Sequence, residues 1–573
     1  MNARDLVAFY ADPESGAWSE IGYEPFPLGV PDPPPHIAAP PNIHLRDLRA
    51  RYDVIVVGSG AGGGVSACVL AEAGASVLVV ERGRWLDRDD VPRDHLRNHR
   101  FPARGDGVSP TGHPRATVDD AGVEVALGPT DDGYHHNAIT AGGGTRVFGA
   151  QAWRFLPDDF RMATRYGVPE GSALADWPIT YDDLAPYYDR VEWELGVAGA
   201  TGHRLEAPRT RGYPMPPFSP SPEARRLDAA ARELGWSTAP VPLLANSIPF
   251  GGRAACVRCG FCVGFACPVD AKNGTATTVL ARAIAAGATL IGETQAVRVD
   301  DDGNVTLRAA NGERVVRGGR VVLAGGAVES ARLLLVSGLG NDWVGHCLQG
   351  HTYAGAYGRF DDVVIDGLGP GPAIATRDFS HGNDGIVGGG LLANEFVKLP
   401  ALHLVWALPP NIARDDDSVR AAMTEGYLRT GHVMGPVQEI PTRAARVRLA
   451  DHVTDQYGVA VARFEGEQHE ADLRVAAFVA ERAQEWLVAA GARDTWTAAP
   501  TRRVLSGGQH QAGTARMAAS PRDGATDPWG RVWGTERIVV ADGSVHVTNG
   551  GANPVLTILA LAWRAAEHLA AQG

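Results

Sequence analysis

The chain has 573 residues, 45% of them apolar and 21% charged, and its 66 acidic and 53 basic residues leave a net charge of −13. That length and apolar content suffice for large cores and call for at least two folding units. The acidic balance, with no basic block, argues against nucleic acid as a partner, and no apolar run approaches the roughly eighteen residues that a membrane helix needs.

The opening stretch MNARDLVAFYADPESG lacks the basic start and apolar core of a secretory signal, so the expected compartment is the cytoplasm. In that reducing setting clustered cysteines more often bind metal or do redox chemistry than form structural disulfides. Residues 1–50 carry the proline run PDPPPHIAAPP, which disfavours helix and reads as an extended arm over the surface or a semi-rigid linker.

The next stretch, YDVIVVGSGAGGGVSACVLAEAGASVLVVERG, reads as a buried strand, a glycine turn, a helix rich in small residues and a second strand ending at Glu81. Gly58, Gly60 and Gly63 form G-x-G-x-x-G at the turn. The first glycine permits the turn, the second lets backbone approach a pyrophosphate, and the third lets helix and strand pack closely. The helix N-terminus at Ala61 favours phosphate charge, and Glu81 can accept hydrogen bonds from a ribose. Arg82 reads equally as a partner for a 2′-phosphate, so NAD(P) and FAD stay open at this point. Cys68, inside this helix, reads as a small core residue.

CVRCGFCVGFACPVDAK then places Cys256, Cys259, Cys262 and Cys267 within twelve residues, at C-x2-C-x2-C-x4-C-P. The last gap is one residue longer than in the bacterial ferredoxin run. Iron–sulfur ligation, zinc, a reversible Cys259–Cys262 disulfide and a metal-free lid loop are all compatible with this pattern, although no second C-x2-C pair stands at zinc-finger distance.

GGRVVLAGGAVESARLLLVSG (318–338) repeats the strand, glycine turn and helix, and RIVVADGSVHVTNGGANPVLTILALAWRAAEHLAA supplies a last strand, a loop and a long helix. Between them, ALHLVWALPP, ARVRLAD and GVAVARF alternate as strands do, and ADLRVAAFVAERAQEWLVAAG has helical spacing. The expected fold is therefore α/β (α+β overall): a discontinuous Rossmann-like domain with an inserted, sheet-containing substrate domain. In residues, this is an arm at 1–50, a nucleotide-binding domain at 51–165, 270–345 and 500–573, and a substrate domain with lid at 166–269 and 346–499. Near the C-terminus, Asn553 suits an N-cap and Pro554 the first helical position, and the free amides of that helix start would favour developing negative charge. HQAGTARM places His510 in a glycine-containing loop upstream.

From about Tyr52 onward, these motifs together with AGGGTRVFG (141–149), WRFLPDDF and DWPITYDDLAPYYDRVE resemble the glucose-methanol-choline family of FAD oxidoreductases. Within it the chain is most similar to the branch of sugar and sugar-acid dehydrogenases and pyranose-oxidase-like enzymes. The resemblance implies FAD, held by Gly58, Gly60, Ala61, Gly63, Glu81, Arg82, Gly143, Gly144, Thr145, Val297, Asp542, Asn553 and Pro554. It implies His510 as the base that takes a hydroxyl proton, while hydride from the same carbon passes to flavin N5, and Asn553 as the group that orients the oxygen. Some relatives tether FAD through a histidine where this chain has Val147, so the expected FAD is non-covalent. Some sugar dehydrogenases of this kind hold a three-iron cluster near the cysteine run and pass electrons to a cytochrome; a site without a cluster is the reading favoured here. The implied substrate is a sugar, glycoside or polyol, with oxygen or another electron acceptor. An NAD(P)-linked dehydrogenase and a non-catalytic redox-sensing flavoprotein are the rival readings.

Overall fold

The computed structural model describes residues 3–25, 37–41, 43–86, 112–131, 133–204, 206–395, 399–505, 508 and 510–572. Its largest sheet has seven strands drawn from distant parts of the chain. The strand Arg51–Val57 lies between Val77–Val80 and Gly312–Leu323 and is parallel to both, with Val54 opposite Val77 on one side and Arg320 on the other. Thr289–Ile291 extends one edge, beside Val77–Val80. The long strand Gly312–Leu323 is shared along its length. Its first half pairs antiparallel with Asn304–Ala309 and its last residues pair parallel with Ile538–Val540. Val77–Val80 is wholly buried, as a central parallel strand covered on both faces should be. The helices Ala61–Glu72 and Val555–Ala571 pack on each other beside this sheet.

In a second sheet of five strands, Tyr353–Arg359 lies between the central strand Thr430–Pro436 and the edge strand Asp494–Ala498. The helix Glu470–Ala489 lies over it, burying Val475, Ala476, Val479, Ala480, Ala483, Trp486 and Leu487, the three-and-four spacing that makes one apolar stripe. A third sheet joins Arg446–Thr454 and Ala460–Glu465 to Arg115–Val118 and Glu124–Leu127. Among the described residues no helix is long and apolar enough to cross a membrane.

Two segments differ from the sequence reading. ALHLVWALPP contributes the helix Pro400–Trp406, with proline at its first position. A short apolar run does not by itself separate strand from buried helix, and here the helix has a partner to pack on. That partner is the N-terminal helix Ala3–Ala11, whose Leu6 and Tyr10 are buried with Leu399, Leu402 and Met423 and with Phe261 and Phe265 of the cysteine run. The start of the arm is thus a docked helix, worth roughly 1.5–3 kcal/mol for each large apolar side chain it buries. Most of the proline run lies outside the described residues.

The Ala61–Glu72 helix fits against the sheet because its first turn lacks side chains. A Cβ on Gly62 would stand 1.5 Å from the carbonyl oxygen of Ala541, and one on Gly58, at φ +94°, would meet the Ala324 carbonyl at 2.4 Å. Neither obstacle is a flexible side chain. Gly62→Ala should therefore destabilise the protein by about 3 kcal/mol or more and weaken cofactor retention. Thermal unfolding of the variant at the wild-type midpoint would refute this packing.

Candidate active site

A long cleft runs between the glycine turn and the C-terminal segment. Of the residues expected to hold the cofactor, Gly58, Gly60, Ala61, Glu81, Arg82, Gly143, Gly144, Thr145, Val297, Asp542, Asn553 and Pro554 all line it. Gly63 does not. Its missing side chain leaves room for the carbonyl of Gly58, 1.9 Å from where a Cβ would stand, which is the packing role expected of the third glycine.

Glu81 is fully buried and organises the turn rather than only facing a ligand. The amide and hydroxyl of Ser59 donate to its Oε2 at 3.0 and 2.6 Å, and the Gly83 amide donates to Oε1 at 2.8 Å. These bonds take three of about four acceptor positions on the carboxylate, leaving capacity for a ribose hydroxyl. Burial nevertheless raises its pKa, against those bonds and Arg82. Ser59 Oγ also accepts from the Gly142 amide at 3.0 Å, tying the 141–149 segment to the first turn. Asp542 does the same at the C-terminal side. Its Oδ2 accepts from Gly326 N at 2.9 Å and Ser330 Oγ at 2.5 Å, and its Oδ1 from the amide and hydroxyl of Ser544.

Arg82 faces Glu329 at 3.3 Å, and Arg115 and Arg332 bind the same carboxylate. Arg332 also holds Asp455 at 2.7 Å. Burial pulls the Glu329 carboxyl up, but the arginines together hold it well below the usual range. Three guanidinium groups against these two carboxylates leave positive charge beside the cleft, which suits a diphosphate. Because Arg82 is already engaged by Glu329, the 2′-phosphate reading of that arginine loses its support.

At the other end of the cleft, His510 and Asn553 meet. Asn553 Nδ2 donates to the hydroxyl of Tyr353 at 3.1 Å and lies 3.5 Å from His510 Nε2. Asn553 does not cap the final helix. That helix begins at Val555 with Pro554 as its N-cap, one residue later than expected, and the asparagine side chain is turned to the histidine instead. Its Oδ1 is buried without a hydrogen-bond partner in the protein. Such an orphaned acceptor in the cleft wall, with the glycine-lined floor and the excess guanidinium charge, fits a bound flavin dinucleotide and its substrate.

Three neighbours of His510 carried no motif. Gln349 and Ala512 exchange backbone hydrogen bonds at 3.0 and 2.9 Å, which brings the start of the Tyr353–Arg359 strand alongside the HQAGTARM loop. His351 thereby comes to lie with its Nδ1 2.8 Å from His510 Nδ1. Asn549 donates to the carbonyls of Gly350 at 3.0 Å and His510 at 2.7 Å, knitting both segments together, while Tyr353 reaches Asn553. Only pairing across about 160 residues of chain creates this group, so no local spacing announces it.

The cysteines line a separate loop. Cys256, Cys259, Cys262 and Cys267 are unpaired and half-buried. Burial pushes the Cys256 thiol up to about 12 and those of Cys259 and Cys262 upward too, with the neighbouring sulfurs adding to the effect. Among the described residues no group of three or more Cys, His, Asp or Glu side chains is arranged to hold a metal ion. Lys272 is buried beneath the loop, its ammonium donating to the carbonyls of Phe148, Cys262 and Phe265 at 3.1, 2.5 and 2.9 Å. Burial brings its pKa down to about 8. Cys68 is buried in the main core, as expected.

A parallel sheet with a glycine turn at its first strand, a second sheet beside the cleft and a histidine–asparagine pair at its end define a flavin-dependent oxidoreductase. Family models described as "GMC oxidoreductase" match residues 173–353 and 441–562, and one described as "FAD binding domain" matches 51–100. The chain is 32% identical to paromamine 6′-oxidase of Streptomyces fradiae, over 92% of each chain. It is 29% identical to 2-methyl-1,2-propanediol dehydrogenase of Mycolicibacterium austroafricanum, over 90% of this chain and 95% of that one. Among solved structures it resembles pyridoxine 4-oxidase from Mesorbium loti at 18% identity, with a TM-score of 0.56 over 90% of this chain and 98% of that one. The chain belongs to the GMC oxidoreductase family, and is an FAD-dependent enzyme acting on CH–OH groups.

The three carbonyls around Lys272 would lose their donor in Lys272→Met. Each buried acceptor left unsatisfied costs about 1–3 kcal/mol, so the variant should unfold at lower temperature and its loop thiols should react faster with a disulfide reagent. Wild-type thiol reactivity and stability would show that the loop holds itself.

Proposed function

We propose that this enzyme oxidises a hydroxyl of a sugar, glycoside or related polyol to a carbonyl, with His510 taking the hydroxyl proton on Nε2. The observation that carries this is the meeting of His510 and Asn553 in the wall of the glycine-lined cleft. Asn553 Nδ2 can donate to the substrate oxygen and fix its orientation, and as a neutral amide it does not compete for the proton. Tyr353 holds that amide in place. The names of the relatives, an oxidase of paromamine and a dehydrogenase of a diol, support a polyhydroxylated small molecule. FAD, when bound, supplies the acceptor for the hydride leaving the same carbon. Gly58, Gly60, Ala61, Gly143, Gly144, Thr145 and Val297 would shape its bed, and Glu81 would receive the ribose. Oxygen or another acceptor then removes the electrons, and the cytoplasm is the compartment that goes with this reading.

His510→Ala should keep FAD and slow its reduction by substrate on the order of a hundredfold to ten-thousandfold, measured anaerobically by stopped flow. A wild-type reduction rate would remove His510 from the mechanism.

Val147 stands in the cleft wall and has no nucleophilic or imidazole nitrogen to form a tether. Acid precipitation should accordingly release all yellow colour to the supernatant; colour retained in the pellet would refute non-covalent attachment.

A further inference from the structure

We infer that His351 is a positioning residue that sets the tautomer of His510, and with it which nitrogen can act as base. This rests on His510 being the base.

His351 Nε2 lies 3.1 Å from the carbonyl oxygen of Asn549 and 2.8 Å from that of Gly550. Both oxygens can only accept, so this nitrogen carries a hydrogen. Burial disfavours the charged imidazolium and lowers the pKa of His351. Glu439, the two carbonyls and Asp159 oppose this, but burial outweighs them. The nearby His546 is driven the same way, down to about 4 by burial, and adds no compensating charge. A neutral His351 with its hydrogen on Nε2 presents a lone pair at Nδ1. That lone pair faces His510 Nδ1 at 2.8 Å, so His510 must be the donor in this contact.

A neutral His510 with its hydrogen on Nδ1 has its basic lone pair on Nε2, the nitrogen that approaches Asn553. The two rings cross at 85°, edge to face, which fixes the plane as well as the tautomer. When Nε2 takes the hydroxyl proton, both nitrogens of His510 are protonated and the Nδ1–H bond to His351 becomes charge-assisted and stronger. His351 therefore favours the state in which the proton has moved. It is not a relay, because its own hydrogen ends on two carbonyls that cannot pass a proton on.

Three variants test this: His351→Leu, His351→Asn and His510→Ala. An asparagine oxygen can present an acceptor near the position of Nδ1, whereas leucine presents none. The readouts are FAD content and anaerobic flavin reduction, resolved into a limiting rate constant and an apparent Kd for substrate. His351→Leu should retain FAD and lose about 10- to 100-fold in the rate constant, with the apparent Kd within about twofold of wild type. His351→Asn should recover most of that loss. Wild-type rates in His351→Leu, or an equal loss in His351→Asn and His351→Leu, would overturn the inference. If His351→Leu fails to bind FAD, His351→Asn alone decides, since a loss of tenfold or more in that variant overturns it. A wild-type rate in His510→Ala would overturn the assignment of the base itself, a result distinct from any behaviour of the His351 variants.

Discussion

The Ala61–Glu72 helix can occupy its place only because its first turn presents bare backbone to the carbonyls of Ala541 and Gly58, and the rest of the cleft is built on that contact. Remote segments converge there: Gly142 and Gly143, Thr275, Ala324 to Gly326, and Ala541 with Asp542. A Cβ on Gly143 would itself meet the Cα of Gly60 at 2.9 Å, so two glycine turns close on each other from different parts of the chain. Bringing such distant segments together costs chain entropy, which rises only slowly with loop length. Long insertions between them are therefore tolerated, and the second sheet occupies them. What holds the convergence is a set of buried hydrogen bonds that cross between segments, from Ser59 to Glu81 and Gly142, and from Asp542 to Gly326 and Ser330.

Charge is divided along the cleft. One end has Arg82, Arg332 and Glu329, with Arg115 and Asp455 behind them; the other has His510, Asn553 and Tyr353, held by His351 and Asn549. The charged end can tolerate burial because each carboxylate is matched by guanidinium, and an unpaired ion there would be costly. The end with His510 follows a different logic. On the proposed mechanism one nitrogen there picks up a proton, and the amide of Asn553, being neutral, can orient an oxygen without competing for it. Burial of His351 and His546 works in the same direction, disfavouring the charged form of both imidazoles.

Much of this was legible in the sequence, and the reasons are local. Glycine spacing between a strand and a helix, Glu81 at the end of the next strand, and the apolar period of the last helix are patterns that neighbouring residues impose on each other. The strands at 446–454 and 460–465 and the helix at 470–489 were readable for the same reason. The ten-residue run ALHLVWALPP was not, since its helix depends on a docked N-terminal segment nearly 400 residues away. Gly62 escapes the motif, which names only its neighbours, although the run of glycines around it signals close packing. Asn553 stands out in the sequence, but its residue type suggests a helix cap, whereas its side chain points to Tyr353 and His510. His351, Tyr353 and Asn549 had no legible pattern at all, because their roles arise from strand pairing.

The geometry around His510 also constrains the fate of the proton after its uptake. With the Nε2 hydrogen of His351 on two carbonyls and His510's own carbonyl tied to Asn549, neither His351 nor Asn549 offers a proton on His510 a way onward. If His510 is the base, as proposed, the proton it takes up is not passed on through either of these residues. An imidazolium at this buried end of the cleft would be stabilised by negative charge beside it, Glu439 and Asp159 among the protein's own groups, and more strongly than it would be in water.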